Sequence, residues 1–473
     1  MEVSQLTAHA RRRRRVLPVL PVIDARFLFA GIVVLAFALR FVAIGQHWGT
    51  DDGYSYLVAT SPNAHVFLGR LAAYENTPPL SYLVLALMPT GHSAWMLVPA
   101  AVAGTLACVV LYFAVRRALG TEAALIAALA LAVAPYQVSF SNVSRGFMLA
   151  DLALLVAMGA VLVLSRRESR GWWAVYLVAG VIAVYTEYDS AIFLVALTLV
   201  ALWLGAPKRR RMAVLGLLPV LTILPWIPEI VRGEHAVGKT KLATPFSAPS
   251  PGTLRELTVS LGFGANGGTS SVLGQWLEFG VIVALAAVAA LALRRAASAR
   301  GERWRYAVVL IAGTGALTLI GHAIAPAVGV QLFTERYLTI LIPLALALVA
   351  AAVVSYGRRG LVIAVSLALV AAGAVDFGLR YHRQWEPDLR PVRLAAVAMH
   401  PKTVLTDNPD VVYYLKSLHP QLDRPFNLGP SGAGSCARPC LIIDDVTSQF
   451  GTPRPPVPGS RTTVGSFSLT LER

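Results

Sequence analysis

Charged residues are scarce in this sequence: 14% of its 473 residues, against 56% that are hydrophobic. With a mean hydropathy of +0.63, that balance excludes a soluble globular domain and indicates a polytopic membrane protein. Cysteine is scarcer still, with three in the chain, and no Cys/His set has metal-ligand spacing. Cys108 lies inside an apolar run and reads as a small core residue. Cys436 and Cys440 stand close together in a Gly/Pro/Ser-rich part of the tail, where a disulfide is expected if the tail is exported. Acidic residues are also few, 25 against 41 Lys and Arg, which leaves a net charge of +16. Such an excess can indicate nucleic acid. Here the basic residues fall in short clusters between apolar runs, the pattern of cytoplasmic loops, so a nucleic-acid partner is not expected. No internal repeat is visible, although the halves of a transporter would be expected to show one.

What the chain does contain is a succession of apolar runs. Residues 1–26 form a polar cytoplasmic N-terminus carrying Arg11 to Arg15, followed by an apolar run from Phe27 to about Gly45. No small-residue cleavage site follows it, so it is expected to be a retained first helix. Ten further spans read at about 94–115, 121–139, 145–165, 172–187, 190–206, 212–231, 276–293, 306–325, 336–354 and 360–379, giving about eleven crossings. Arg116/Arg117, Arg166/Arg167/Arg170, Lys208 to Arg211, Arg294 to Arg305 and Arg358/Arg359 all fall at alternate junctions, on the same side as Arg11 to Arg15. The expected organisation is a membrane domain over 27–380, with outer loops at 46–93 and 232–275, and an extracytoplasmic α/β domain over 381–473. In that tail, Thr403 to Asp407, Leu441 to Asp445 and a last stretch near Thr462 to Leu471 read as strands, with a helix at Asp410 to Ser417.

The first outer loop is the richest in chemistry. Between Gly49 and Tyr82 it carries the adjacent acids Asp51 and Asp52, a third acid Glu75 and the Pro78-Pro79 corner, which is expected to start a short amphipathic helix. A carboxylate near hydrocarbon costs several kcal/mol unless something binds it, so these acids are site candidates. On the same face the sequence predicts a tight turn at Ser141 to Arg145, a turn at Glu187 to Asp189, the long Gly/Pro/Ser-rich loop Arg232 to Gln275 and the segment Ala325 to Glu335.

Taken together, these motifs resemble those of the GT-C membrane glycosyltransferases, in particular the protein O-mannosyltransferase and lipid A aminoarabinose transferase relatives (glycosyltransferase family 39-like). D-D-G-Y at 51–54 resembles the family's acid pair after the first helix, and Y-E-N-T-P-P-L-S-Y at 74–82 its E-x-x-P-P-L-x-Y element. F-S-N-V-S-R-G-F-M-L at 140–149 is similar to its S-Q-E-A-R-x-Y-x-L, V-Y-T-E-Y at 184–188 to its Y-T-H-Y, and T-E-R-Y-L-T-I-L-I-P at 334–343 to its R-Y-x-x-x-x-x-P. Two positions depart from the pattern: Val143 stands at the usual glutamate and Glu187 at the usual histidine.

The resemblance implies an inverting transferase that moves mannose, or another hexose or pentose, from a polyprenyl-phosphate donor to an extracytoplasmic glycan, lipid or protein acceptor. Such chemistry needs a carboxylate base for the acceptor proton and cations at the departing phosphate. Asp51 or Asp52 fits the base, while the other acid and Glu75 orient the acceptor or hold a divalent ion, for which hard oxygen ligands suit Mg²⁺ or Mn²⁺. Arg145 and Arg336, with Tyr337 beside the latter, fit the donor phosphate. Glu187 and His322 read as packing or rim residues, and Trp48, Tyr54 and Tyr56 as interfacial anchors. A transporter or flippase, and a non-catalytic subunit of cell-envelope glycan assembly, are the rival readings.

Overall fold

The computed structural model of the chain describes residues 24–42, 44, 50–74, 77–89, 93–206, 208–228, 251–252, 254–255, 258, 272–328, 332–333, 335–357, 359–382, 403–406, 440–445, 460–464 and 467–472. It is predominantly helical. The first helix, α1 (Ala25–Phe41), starts at Asp24, whose carboxylate accepts the otherwise unpaired amide of Arg26 at 2.9 Å. The first outer loop then folds into three short helices, α2 (Thr50–Ala59), α3 (Ala64–Tyr74) and α4 (Leu80–Ala86). Asn63 caps α3 by accepting the Val66 amide, and α4 begins directly after Pro79, as the Pro-Pro corner predicts.

The bundle continues with α5 (Ser93–Leu119), α6 (Thr121–Val133), α7 (Pro135–Phe140), α8 (Phe147–Leu164), α9 (Arg170–Thr186), α10 (Ser190–Trp203) and α11 (Arg209–Leu221). It is completed by α12 (Val272–Ala299), α13 (Glu302–Ile324), α14 (Leu341–Ser355) and α15 (Arg359–His382). A helix stands at every one of the eleven span positions. Among the described residues, three stretches, Ala94–Leu119, Phe147–Leu164 and Glu302–Ala327, are long and apolar enough to cross a membrane by length and composition.

Three spans are not the continuous helices expected; in one, 212–231, α11 ends at Leu221 and a 3₁₀ turn follows at Leu224–Trp226. The run at 121–139 breaks between α6 and α7, because Pro135 lacks the amide that a continuous helix needs and drives Ala134 to an extended ψ of 117°. At 336–354, residues Glu335–Leu338 form a 3₁₀ turn, and α14 starts only at Leu341, with Pro343 in its first turn where no amide is needed.

The core is built from small residues. In α6, Ala123, Ala124, Ala127, Ala128, Ala130 and Ala132 are all buried, so α1, α5, α14 and α15 pack closely around this helix. On its other side α5 packs against α8, which in turn lies against α9, and α10 bridges α11 and α13.

In the tail, β1 (Thr403–Thr406), β2 (Cys440–Asp445), β3 (Ser460–Val464) and β4 (Phe467–Glu472) form one sheet in the order β1-β2-β4-β3. The β1 and β2 strands pair in parallel, and the other two neighbours are antiparallel. The single last strand expected near Thr462 to Leu471 is instead two strands paired with Val464 opposite Phe467. Gly465-Ser466, the sequence between them, is the glycine-first pair favoured in two-residue hairpins. The expected helix at Asp410 to Ser417, Cys436 and the Cys440 side chain lie outside the described parts, as does most of the 232–275 loop.

Candidate functional site

Of the two acids in D-D-G-Y, Asp52 is buried, 2% exposed, and turns toward the bend that joins α7 to α8. Its Oδ1 accepts both the amide and the hydroxyl of Ser144, at 2.5 and 2.6 Å. Residues 141–146 are non-helical, so the Ser144 amide has no i−4 carbonyl to bond, and a carboxylate supplies a charge-assisted acceptor. Asp51 is the neighbouring residue of α2; its side chain, and Glu75 entirely, lie outside the described parts.

The next residue of the bend, Arg145, donates from Nη1 to the Tyr82 hydroxyl at 2.9 Å, and Tyr82 in turn hydrogen-bonds Thr77 at 2.6 Å. Tyr82 belongs to α4, so the Pro78-Pro79 corner delivers this partner to Arg145. Tyr56 is not an interfacial anchor. It is 8% exposed and packs with Val58, Leu71, Tyr82, Leu85 and Met96, which tie α2, α3, α4 and α5 into a small apolar unit.

Beside this unit lies a small pocket whose wall includes Phe147, Asp151, Glu187, Asp189, Arg336 and Tyr337. The Arg336 guanidinium lies 5.7 Å from the centroid of the Tyr337 ring, which meets Phe147 edge-on at 6.1 Å. Arg336, Glu187, Asp189 and Arg145 all lie within electrostatic reach of the Tyr337 hydroxyl. Asp151 is buried and accepts from Gln137 Nε2 and from the Thr339 hydroxyl, each at 3.0 Å, while the same Gln137 nitrogen donates to the Thr339 carbonyl. Asp189 Oδ2 faces His322 Nε2 at 3.4 Å, and His322 Nδ1 lies 2.9 Å from the Thr318 carbonyl. A carbonyl only accepts, so the hydrogen bond to Thr318 is donated by Nδ1.

Of the predicted site residues, Asp52, Arg145, Arg336 and Tyr337 therefore gather at one end of the bundle, joined through Ser144, Tyr82 and the pocket wall. Glu187 lines that pocket and His322 stands behind it. Sequence reasoning missed Asp151, Gln137, Thr339 and the pocket position of Asp189. One signal was available: Asp151 is a lone acid in the apolar run F-M-L-A-D-L-A-L-L, where an unpaired charge is costly. As for a metal, Asp52 Oδ1 already takes two donors, and no group of three or more His, Cys, Asp or Glu could hold an ion among the described residues.

Comparison with known proteins agrees with this architecture. Residues 76–228 match the family model of dolichyl-phosphate-mannose-protein mannosyltransferases. The structure is similar to that of ArnT from Cupriavidus metallidurans bound to undecaprenyl phosphate, with a TM-score of 0.57 and 15% identity over 94% of this chain and 97% of that one. It is also similar to the Archaeoglobus fulgidus oligosaccharyltransferase AglB in complex with an inhibitory peptide and a dolichol-phosphate, with a TM-score of 0.53 and 12% identity over 85% of this chain and 64% of that one. A structure of the A. fulgidus enzyme with Zn and sulfate gives a TM-score of 0.52 at 13% identity, over 84% of this chain and 62% of that one. Among curated proteins nothing matches the chain. The chain has the fold of the GT-C membrane glycosyltransferases, and over residues 76–228 it matches the sequence of their mannosyltransferase branch.

Proposed function

We propose that this protein is an inverting GT-C glycosyltransferase that moves a hexose or pentose from a polyprenyl phosphate to an acceptor outside the cytoplasm. The observation that carries the reading is the meeting, at one end of the bundle, of two arginines and a set of buried carboxylates drawn from segments far apart in sequence. Guanidinium forks pair bidentately with phosphate oxygens, so Arg145 and Arg336 hold the donor phosphate and stabilise the charge that grows on it as the glycosidic bond breaks. Tyr337 lies at that phosphate, and Glu187 and Asp189 balance the arginines when the donor is gone.

Asp51 takes the proton from the acceptor while the acceptor oxygen attacks the anomeric carbon from the face opposite the phosphate, which inverts its configuration. Asp52, with one oxygen already committed to Ser144, anchors α2 and so orients its neighbour. The long outer loop and the tail sheet stand on the acceptor side in this reading.

The test is incubation of the purified protein in nanodiscs with a panel of radiolabelled polyprenyl-phosphate sugars, following release of polyprenyl phosphate. Cleavage of at least one donor is expected. Arg336→Lys keeps the charge but loses the fork, so turnover should fall at least roughly tenfold while the variant still folds. Movement of an intact lipid-linked sugar across a sealed vesicle, with no cleavage of any donor, would instead establish a flippase.

A further inference from the structure

One side chain outside the site as described is out of place for a membrane helix. Arg40, in the last turn of α1, is completely buried, although an arginine near a helix end ordinarily extends its head group to the interface. No carboxylate bonds it among the described residues. Its guanidinium is spent instead on backbone and hydroxyl groups. Nη1 donates to the carbonyls of Ala36 and Ala132, each at 3.1 Å, Nη2 to that of Leu131 at 3.3 Å, and Nε to the Ser141 hydroxyl at 3.1 Å.

Two of these bonds follow from the break after α6. In an unbroken helix the Leu131 carbonyl would accept from the amide of residue 135, but Pro135 has none. Arg40 supplies the missing donor, and its charge sits at the carbonyl end of α6, where the helix dipole favours a cation. The fourth bond does something the break does not require: it reaches past α7 to the first residue of the 141–146 bend. Ser141 in turn donates to the Gln137 carbonyl at 2.6 Å, which closes the path from α1 through the bend back onto α7. Behind that contact lies α5. A Cβ on Gly104 would fall 2.2 Å from Ser141 Oγ and 2.8 Å from Arg40 Nε, so only glycine lets the helix back up the bond so closely. From α7 itself, Gln137 reaches Asp151 and the Thr339 carbonyl, three residues beyond Arg336.

We infer that Arg40 is a positioning residue of the transferase site: through Ser141 it fixes the bend that offers Ser144 to Asp52 and Arg145 to Tyr82. With Gln137 it makes α7 a strut that sets the spacing between the acid-bearing half of the site and the Arg336 half. The inference rests on the function proposed above for its link to catalysis, but its geometric part stands apart from it.

The experiment uses the full-length protein in nanodiscs, wild type beside Ser141→Ala and Arg40→Lys. Ser141→Ala removes the bonds that one hydroxyl makes to Arg40 and to the Gln137 carbonyl and leaves the other three bonds of Arg40 in place, so it remains informative if variants at Arg40 fold poorly. Two readouts are taken, hydrogen exchange of peptides covering 141–146 and steady-state donor turnover. Both variants should exchange faster across the bend, and kcat should fall roughly tenfold to a hundredfold, the scale of a misplaced catalytic group, at nearly unchanged donor KM. Unaltered exchange in Ser141→Ala overturns the inference whatever the activity. Faster exchange with full kcat reduces Arg40 to a purely structural role and overturns it as well. A wild type that cleaves no donor refutes the transferase reading alone, and exchange at the bend then decides the positioning role.

Discussion

Asp51 and Asp52 are adjacent and chemically identical, yet their surroundings assign them different work. Asp52 is an anchor through its two bonds from Ser144, and the amide oxygen of an asparagine still accepts both, though without the charge. Asp52→Asn is therefore expected to fold and to lose activity only partially. Asp51→Asn should lose the base, at a cost of about 10²–10⁴-fold in kcat. Donor turnover by both variants, with thermal stability measured alongside, checks this; equal rates in the two would remove the assignment. The sequence made these acids visible because they stand in a polar stretch beside hydrocarbon. Asp151 carried a weaker signal, since the value of a buried acid depends on which donors a neighbouring helix brings. Here Gln137 and Thr339 both donate to it, so Asp151→Asn turns one acceptor oxygen into a donor, which meets another donor if it faces Gln137 and leaves the Thr339 hydroxyl proton without its acceptor if it faces Thr339. That change should cost roughly 1–3 kcal/mol of stability, read as a lower thermal midpoint.

Among the elements, helix positions were readable because apolar length is a local property, whereas breaks and close crossings were not. Pro135 was in plain sight, but whether a proline kinks a helix or ends it depends on what satisfies the freed carbonyls, and Arg40 does so from another helix. Close crossings are equally non-local. Where α9, α10 and α11 meet, the Tyr176 hydroxyl donates to the Gly216 carbonyl at 2.8 Å and lies 3.4 Å from the Thr198 hydroxyl. A Cβ on Gly216 would stand 2.6 Å from Thr198 Oγ1 and 2.7 Å from its methyl, and Thr198 is fully buried. Gly216→Ala should thus push α11 away from α10 at roughly 1–3 kcal/mol, the cost of overpacking a tight core. The thermal midpoint should fall while turnover per folded molecule stays at wild type, because none of these residues lines the pocket. A loss of turnover without a loss of stability would show that this crossing reaches the site.

At the scale of the whole molecule, the two ends of the bundle differ in kind, and the difference bears on how it sits in a membrane. One end gathers the basic junctions. Lys208 and Arg211 both pair with Glu168, Arg117 lies 5.6 Å from the centroid of the Trp172 ring, Arg303 is within electrostatic reach of Arg166, and Arg300 donates to the Val354 carbonyl at 3.3 Å. Four clusters that lie far apart in the sequence thus adjoin one another, at 116–117, 166–170, 208–211 and 294–305, and through Val354 they approach the fifth at 358–359. The other end gathers Asp52, Arg145, Asp189, His322 and Arg336 with their partners. Charge alternation along the sequence carried this two-ended arrangement, because the positive-inside rule acts on every short loop independently. The pairing of particular loops could not be read that way, since it depends on helix order in the bundle. If the basic end faces the cytoplasm, a reporter fused after Arg211 should be cytoplasmic, and one fused after Arg473 extracytoplasmic. The same orientation puts the acids where an exported acceptor reaches them. A single cysteine introduced at Asn63, an exposed position of the first loop, should then react with a membrane-impermeant maleimide in intact cells, whereas one at Arg209 should react only after the membrane is opened. Labelling of both, or of Arg209 alone, in intact cells would invert the bundle and put the site on the wrong side for an extracytoplasmic acceptor.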